Sequence, residues 1–328
     1  MKKLLGVAAA VFLLAGCGNE DKRLFNQAQV AASKGKYTQA MQLYSRLIKQ
    51  DPQNASALVN RGILWEQLPY KDATERAKNR GYAEQDYLKS IEINPNIPET
   101  YNNLGALYID MGRYSQAVYY LTEAILRNPR YFTALMNRGI AYSKMNRSSE
   151  ALADFNAAFQ LRQDDPLLFL NRGLAYFASG QYELALDDYT YLISLTPDDA
   201  RPYLERARAF IKLGYPANAY ADLEEAVTIK PTYALAYYYM GDLMYRKGET
   251  DYALGLLVKS KELASQYVPT YDLMGDMLAV EDPVAATANY MVAKKLDPAN
   301  AAKYERKIRL MRTDEGRERV LAERFFPN

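Results

Sequence analysis

Proline recurs along this chain at a fixed interval, and that interval dictates the architecture. Pro95 and Pro129 stand 34 residues apart, as do Pro197 and Pro231. Pro129 and Pro197 are two such intervals apart, and Pro231 and Pro298 two intervals less one residue. Each proline closes a similar phrase: Ile-Asn-Pro at 93–95, Arg-Asn-Pro at 127–129, Leu-Thr-Pro at 195–197, Ile-Lys-Pro at 229–231 and Leu-Asp-Pro at 296–298. Self-similarity with this period marks a stack of helix pairs, in which each pair buries its apolar face only against its neighbours. It argues against a compact enzyme domain.

A second marker runs in phase with the first. It reads Gly62-Ile-Leu-Trp65, Gly105-Ala-Leu-Tyr108, Gly139-Ile-Ala-Tyr142 and Gly173-Leu-Ala-Tyr176, with the variants Ala207-Arg-Ala-Phe210, Gly241-Asp-Leu-Met244 and Gly275-Asp-Met-Leu278. Downstream follow a small residue (Ala117, Ala151, Ala185, Ala219, Ala253) and, four positions later, a large one (Leu121, Phe155, Tyr189, Leu223, Leu257). The small residues let two helices approach closely, and the large ones fill the space beside them.

On these markers the chain resembles the tetratricopeptide repeat family over residues 21–298, with eight repeats starting near 21, 55, 98, 132, 166, 200, 234 and 268. The first repeat replaces the glycine by Ala28 but keeps Ala40, Tyr44 and Pro52; the fourth and seventh carry Gln163 and Ser265 where proline is usual. Gly35, Gly112, Gly180, Gly214 and Gly248 share position 15, with Asn146 in the fourth repeat, as a left-handed helix end requires. The resemblance implies an all-α fold, a right-handed α-solenoid of about eight helix pairs. Residues 299–328 read as a capping helix and tail. Tyr304, Ile308 and Met311 recur at helical spacing among basic residues, and Gly316 interrupts the helix before a short tail helix ending at Phe325-Phe326. A basic interaction surface is the other reading of this segment.

One place breaks the period. Pro52 to Pro95 is nine residues too long, and the excess lies at 67–80. Leu68-Pro69-Tyr70 ends the preceding helix, and Asp72 is placed to cap an extra turn through Ala77. A tolerated surface loop and a partner contact both fit.

The first residues read as an export signal. Lys2 and Lys3 precede an apolar run over Leu4–Leu14, too short to span a bilayer permanently, and Leu14-Ala15-Gly16-Cys17 follows. This resembles the bacterial lipobox, which implies cleavage of a signal peptide over 1–16 and lipidation of Cys17, with 17–20 as a short tether. By the same resemblance Gly18, not being Asp, points to the outer membrane facing the periplasm. An ordinary signal peptide with a chance cysteine is the bland reading.

Composition narrows the chemistry. One cysteine gives no structural disulfide and no cysteine metal site, and the chain has no histidine, the usual general base and transition-metal ligand. No cofactor or metal is called for, and an enzyme is not the expectation. Carboxylates such as Glu123 and Asp154 read as solvated convex positions. Lys and Arg number 41 against 39 Asp and Glu, and loss of Lys2 and Lys3 would balance them, so nothing global favours nucleic acid.

The resemblance places positions 2, 5, 6, 9, 12 and 13 of each first helix on a concave groove. Position 6 is Asn26, Asn60, Asn103, Asn137 and Asn171 in five successive repeats, then Glu205, Tyr239 and Leu273. A side-chain amide offers both donor and acceptor, so a row of them can grip an extended peptide through its backbone. This resembles the asparagine ladder of O-linked N-acetylglucosamine transferase; a family habit without a role is the alternative. Arg201, Arg208, Tyr238 and Tyr245 supply interface-type anchors in later repeats, with Asp242 beside them. Arg61, Arg138, Arg172 and Arg206 reach between repeats or to solvent, and the recurrent tyrosines pack the core.

The resulting expectation is a scaffold or adaptor lipoprotein that holds protein or peptide partners in its groove. Similar lipoproteins serve as pilotins for type IV pilus secretins, adaptors for peptidoglycan hydrolases or scaffolds in exopolysaccharide export. Self-association is the third class.

Overall fold

A computed structural model describes residues 19–325 of the chain. Among them are eighteen α-helices and one 3-10 turn, and no strand. The chain divides at Gly180 into two compact units.

The first unit holds α1 (Asn19–Ser33), α2 (Tyr37–Gln50), α3 (Ala55–Gln67), α4 (Ala73–Ile93), α5 (Pro98–Asp110), α6 (Tyr114–Arg127), α7 (Phe132–Lys144), α8 (Ser148–Leu161) and α9 (Pro166–Ala178). The second holds α10 (Tyr182–Leu195), α11 (Ala200–Leu213), α12 (Pro216–Ile229), α13 (Ala234–Lys247), α14 (Thr250–Leu263), α15 (Val268–Leu278), α16 (Pro283–Leu296), the 3-10 turn Pro298–Asn300, α17 (Ala301–Leu310) and α18 (Asp314–Phe325). Within each unit, first and second helices of a repeat pack antiparallel and each pair stacks on the next, as an all-α solenoid of tetratricopeptide pairs requires. Helix α1 begins at Asn19, two residues before the start expected from the repeat phase.

The periodic prolines act through the residue before them. A pre-proline residue is pushed out of the helical region by the ring. Asn94, Asn128, Thr196, Lys230 and Asp297 accordingly cap their helices with φ between −129° and −138°. Where proline is missing, Arg162 and Ala264 turn out at the same place with φ −154° and −142°, so the repeat phase survives. At the turn inside each repeat the position-15 glycines have φ between 72° and 91°, and Asn146 takes φ 57°. Asparagine tolerates this conformation better than other side-chain-bearing residues.

The other set of glycines works by absence. A Cβ on Gly105 would lie 2.5 Å from Leu121, and one on Gly139 2.6 Å from Phe155. The same seat in the eighth repeat pairs Gly275 with Tyr290, fifteen residues on rather than sixteen, so the residue missing from the last interval is missing here. The nine extra residues go mostly into α4, which runs 21 residues where other second helices run 14. Asp72 is its N-cap, accepting from the Glu75 amide. Arg76 and Arg80 on the added turns both pair with Asp110 at the end of α5.

The C-terminal region is two helices, α17 and α18. Helix α17 occupies the place of a ninth first helix, with Tyr304 and Met311 buried against Tyr271, Tyr290 and Ala293. The break falls at Met311–Thr313 rather than at Gly316. Gly316 sits in the first turn of α18, against the Leu310 carbonyl where a side chain would not fit. The Thr313 hydroxyl accepts its amide at 3.1 Å. These contacts turn α18 back along the second unit, where Val320 is buried in the same cluster.

Candidate functional site

The five position-6 asparagines are not equivalent. Asn26 on α1 is exposed. The amides of Asn60 and Asn171 each bond a carbonyl one turn back in their own helix, Ser56 at 2.8 Å and Leu167 at 2.7 Å. Asn103 and Asn137 are 0% and 2% exposed. Helices α5 and α7 touch directly, and Asn137 Nδ2 donates to Asn102 Oδ1 at 3.0 Å, while Asn102 Nδ2 reaches Asn103 Oδ1 at 3.4 Å. The expectation of a uniform row of open amides is corrected here. In the middle of the first unit the row becomes an inter-repeat chain of buried amides, linked through position 5 of the third repeat. Asn102 was not singled out in the sequence, because position 5 carries no asparagine elsewhere among these repeats. Cys17 lies outside the described residues.

The arginines before the glycines resolve to one of their two readings: they join repeats. Arg138 forms a forked pair with Asp154 at 2.7 and 2.8 Å and donates to Thr122 Oγ1 at 3.0 Å. The partners lie sixteen residues ahead and sixteen behind, on consecutive second helices. Arg206 repeats this with Asp222 and Thr190, and Arg61 with Asp86 and Ser45. Arg61 reaches 25 residues ahead because the insertion intervenes. Arg172 bonds Asn156 sixteen residues back. Asp154 is therefore not a solvated convex carboxylate: it is 4% exposed, and its burial raises its pKa against the opposing effect of Arg138. Glu123 pairs with Arg127 on its own helix.

In the second unit the predicted anchors separate into two groups. Arg208 pairs with Glu205 and lies 6.0 Å from the Tyr239 ring, while Arg201 stands at the start of α11, where its backbone amide donates to Asp199 Oδ1 at 3.0 Å. Tyr238 and Tyr245 belong to a different constellation, on the first-helix face of α13 and α15. Its carboxylates are Asp242, Asp272 and Asp276, all at least nine-tenths buried. Lys307 on α17 reaches Asp272 at 2.6 Å and Asp276 at 2.5 Å, and Lys303 reaches Asp272 at 2.6 Å. The Tyr290 hydroxyl donates to Asp276 at 2.8 Å. Arg324 on α18 pairs with Asp242 and lies 3.8 Å from Asp276. Asp242 also accepts from Arg246 at 2.8 Å.

Burial and charge oppose one another in this cluster. Burial works against ionisation of Asp272, but Lys307 and Lys303 outweigh it and hold its carboxyl below the usual range. For Asp276 burial wins, helped by Asp272, and its pKa is raised despite Lys307. Burial pushes the Tyr238 hydroxyl up to about 12, with Asp242 acting in the same sense and Arg324 against it. The sequence carried a signal for this site. Gly241-Asp242 and Gly275-Asp276 put a carboxylate at groove position 9 in consecutive repeats, but nothing local says that cations from the last two helices come back to meet them.

Comparison with known proteins bears on the repeats that carry this site. Tetratricopeptide repeat profiles match residues 86–119, 132–165 and 200–233, and a TPR repeat profile matches 28–68 and 173–214. Together these cover more than half the chain, and two begin where α7 and α11 begin. Cellulose synthase operon protein C of Pseudomonas fluorescens (strain SBW25) is 30% identical over 98 residues, which is 30% of this chain and 7% of that protein. A tetratricopeptide repeat protein from Parabacteroides merdae ATCC 43184 superposes with TM-score 0.56 at 21% identity, over 78% of this chain and 98% of its own. Pseudomonas aeruginosa pilF gives TM-score 0.56 at 17% identity, over 66% and 94%. YrrB, described as a TPR protein with an unusual peptide-binding site, gives 0.51 at 18%, over 59% and 95%. At these identities the structural likeness speaks to the fold alone. The repeat profiles and the helix-pair geometry together show that the chain belongs to the tetratricopeptide repeat family.

Proposed function

We propose that this chain is a non-enzymatic scaffold of the bacterial envelope, anchored through lipid on Cys17, that binds protein partners on the first-helix faces of its repeats. The observation that carries the reading is the face of α13 and α15. Tyr238 and Tyr245 flank buried carboxylates there, and the face already receives a helix, α18. Tyrosine and arginine are the residues that dominate protein interfaces. YrrB, similar in fold, is described as having a peptide-binding site, which supports the same use of the repeats.

The anchor accords with α1 beginning two residues after Cys17, which would hold the first repeat close to a membrane surface. Among the described residues no helix is long and apolar enough to cross a membrane. We assign the outer membrane, facing the periplasm, from the lipobox resemblance.

Two measurements test this. Labelling with a fatty-acid analogue is expected to mark the wild type and not Cys17→Ala; equal labelling of both rejects the lipid anchor. Crosslinking in the native envelope is expected to capture a defined partner that the Tyr238→Ala, Tyr245→Ala double variant loses at unchanged helicity. Unchanged capture moves the binding surface elsewhere. A role in assembling a polysaccharide-exporting complex is the second reading, favoured by the match to a protein named for a cellulose synthase operon.

A further inference from the structure

The last helix is attached to the rest of the second unit in an uneven way. Val320, near its middle, is buried, and Glu323 is held by Arg306 of α17. Among the described side chains, the ion pairs that join it to the first-helix face are those of Arg324. Glu318, Arg319 and Ala322 point to solvent. A helix of 12 residues with a glycine in its first turn does not persist alone in water. Elements with few buried contacts are the first to open. Helix α17 is different in kind. Its Tyr304 is 3% exposed, and Lys307, with a side chain 12% exposed, is built into the face against Asp272 and Asp276.

Among the described residues, Arg324 is the one cation placed against both Asp242 and Asp276, and its removal would leave that seat empty. Asp272 and Asp276 would keep Lys307 and Asp242 would keep Arg246, while Tyr238 would lose the guanidinium beside it. A planar guanidinium suits this seat, because it can address two carboxylates and lie beside tyrosine rings, which a lysine ammonium does less well.

We propose that α18 is a built-in competitor: it fills, in cis, a site on α13 and α15 that takes an arginine-bearing helical segment of a partner protein. The partner's arginine replaces Arg324 between Asp242 and Asp276, and its helix replaces α18. This rests on the reading of that face as a protein-binding surface and adds the chemistry of its ligand and the means by which it is kept closed. When the competent state is a minor population, apparent affinity is reduced by its fraction. Loosening α18 therefore opens the site without changing it.

The test uses the full chain and a labelled peptide of residues 312–328, read by fluorescence anisotropy. The Arg324→Ala protein is expected to bind this peptide at least roughly tenfold more tightly than the wild type. The peptide with alanine in place of Arg324 is expected to lose that gain, and so is protein carrying both Arg324→Ala and Asp242→Asn. Equal affinity for wild type and Arg324→Ala overturns the proposal and leaves α18 a fixed cap. Tight binding indifferent to Asp242→Asn overturns it by placing the peptide elsewhere. A wild-type dimer in light scattering that the peptide dissociates also overturns it, since α18 would then sit in a second copy. Should Arg324→Ala fail to fold, hydrogen exchange on the wild type decides: α18 is expected to exchange faster than α15 and α17, and equal protection rejects the competitor. Failure here is separable from failure of the scaffold reading. Envelope capture that persists without any peptide effect removes only the competitor, and peptide binding without envelope capture removes only the scaffold.

Discussion

Arg324, in the last helix, is ion-paired with Asp242, 82 residues earlier on the first helix of the seventh repeat. No repeat rule predicts the contact. It crosses the repeat array on the face where nearest-neighbour stacking would leave a surface for partners. Burial works against the charge on Arg324, but Asp242 above all, with Tyr238 and Asp276, outweighs it and raises the pKa, so the guanidinium stays charged throughout the accessible pH range.

Acid is expected to loosen α18 through a second contact. Glu323 accepts from Arg306 at 2.8 Å and from Arg319 at 3.0 Å, and the Arg306 bond is the main reason its pKa falls to about 2. A carboxylate whose folded pKa is depressed contributes stability that is complete above its unfolded value, about 4.3, and is lost as pH falls through the folded one. Hydrogen exchange in α18 is therefore expected to accelerate between about pH 4.3 and 2, relative to α17. Arg306→Gln should flatten that dependence. An α18 profile unchanged across this window would show that the pair does not hold the helix.

Glycine substitutions should have opposite signs at two helical sites. Gly139→Val drives a side chain into Phe155 and is expected to cost about 1–3 kcal/mol or more in chemical denaturation. Gly81 lies in the middle of α4 with nothing near its absent Cβ. Gly81→Ala is expected to stabilise by about 0.5–1 kcal/mol, from helix propensity alone. Equal effects at the two sites would deny that the repeat glycine serves close packing.

The arginine ladder makes a third prediction. Arg138→Ala leaves Asp154 buried without its guanidinium, and removal of one partner of a buried pair costs about 3–5 kcal/mol. Replacing both, as Arg138→Met with Asp154→Leu, is expected to recover most of that loss. A single-variant cost under about 1 kcal/mol would mean that solvent already screens the pair.

The amide chain of the first unit separates two asparagines that look alike in the sequence. Asn137→Ala removes the bond to Asn102 and is expected to destabilise by about 1 kcal/mol. Asn171→Ala removes only a bond to its own helix and should be close to neutral. Thermal melts of the two variants check this; a neutral Asn137→Ala would leave the chain without a structural role.

The repeat phase, the helix ends and the seats of the repeat glycines were legible in the sequence because their causes are local. Proline excludes the residue before it from a helix, position 15 needs a left-handed conformation, and Gly139 faces Phe155 at a spacing that two antiparallel helices impose. Asp72 was legible for the same reason. The fates of Asn103, Asn137, Asp154 and Arg324 were not. Whether a first-helix amide meets solvent or Asn102 depends on how closely α5 and α7 approach, and a one-dimensional repeat leaves that distance open. Asp154 reads as a surface carboxylate until Arg138 is seen to reach it from the neighbouring first helix. Arg324 lies beyond the last repeat, where periodicity has no further say. Only the reversal at Met311–Thr313, with Gly316 packed against Leu310, carries its charge back to Asp242 and Asp276, because pairing across 82 residues depends on the path of the folded chain and not on the pattern of any segment.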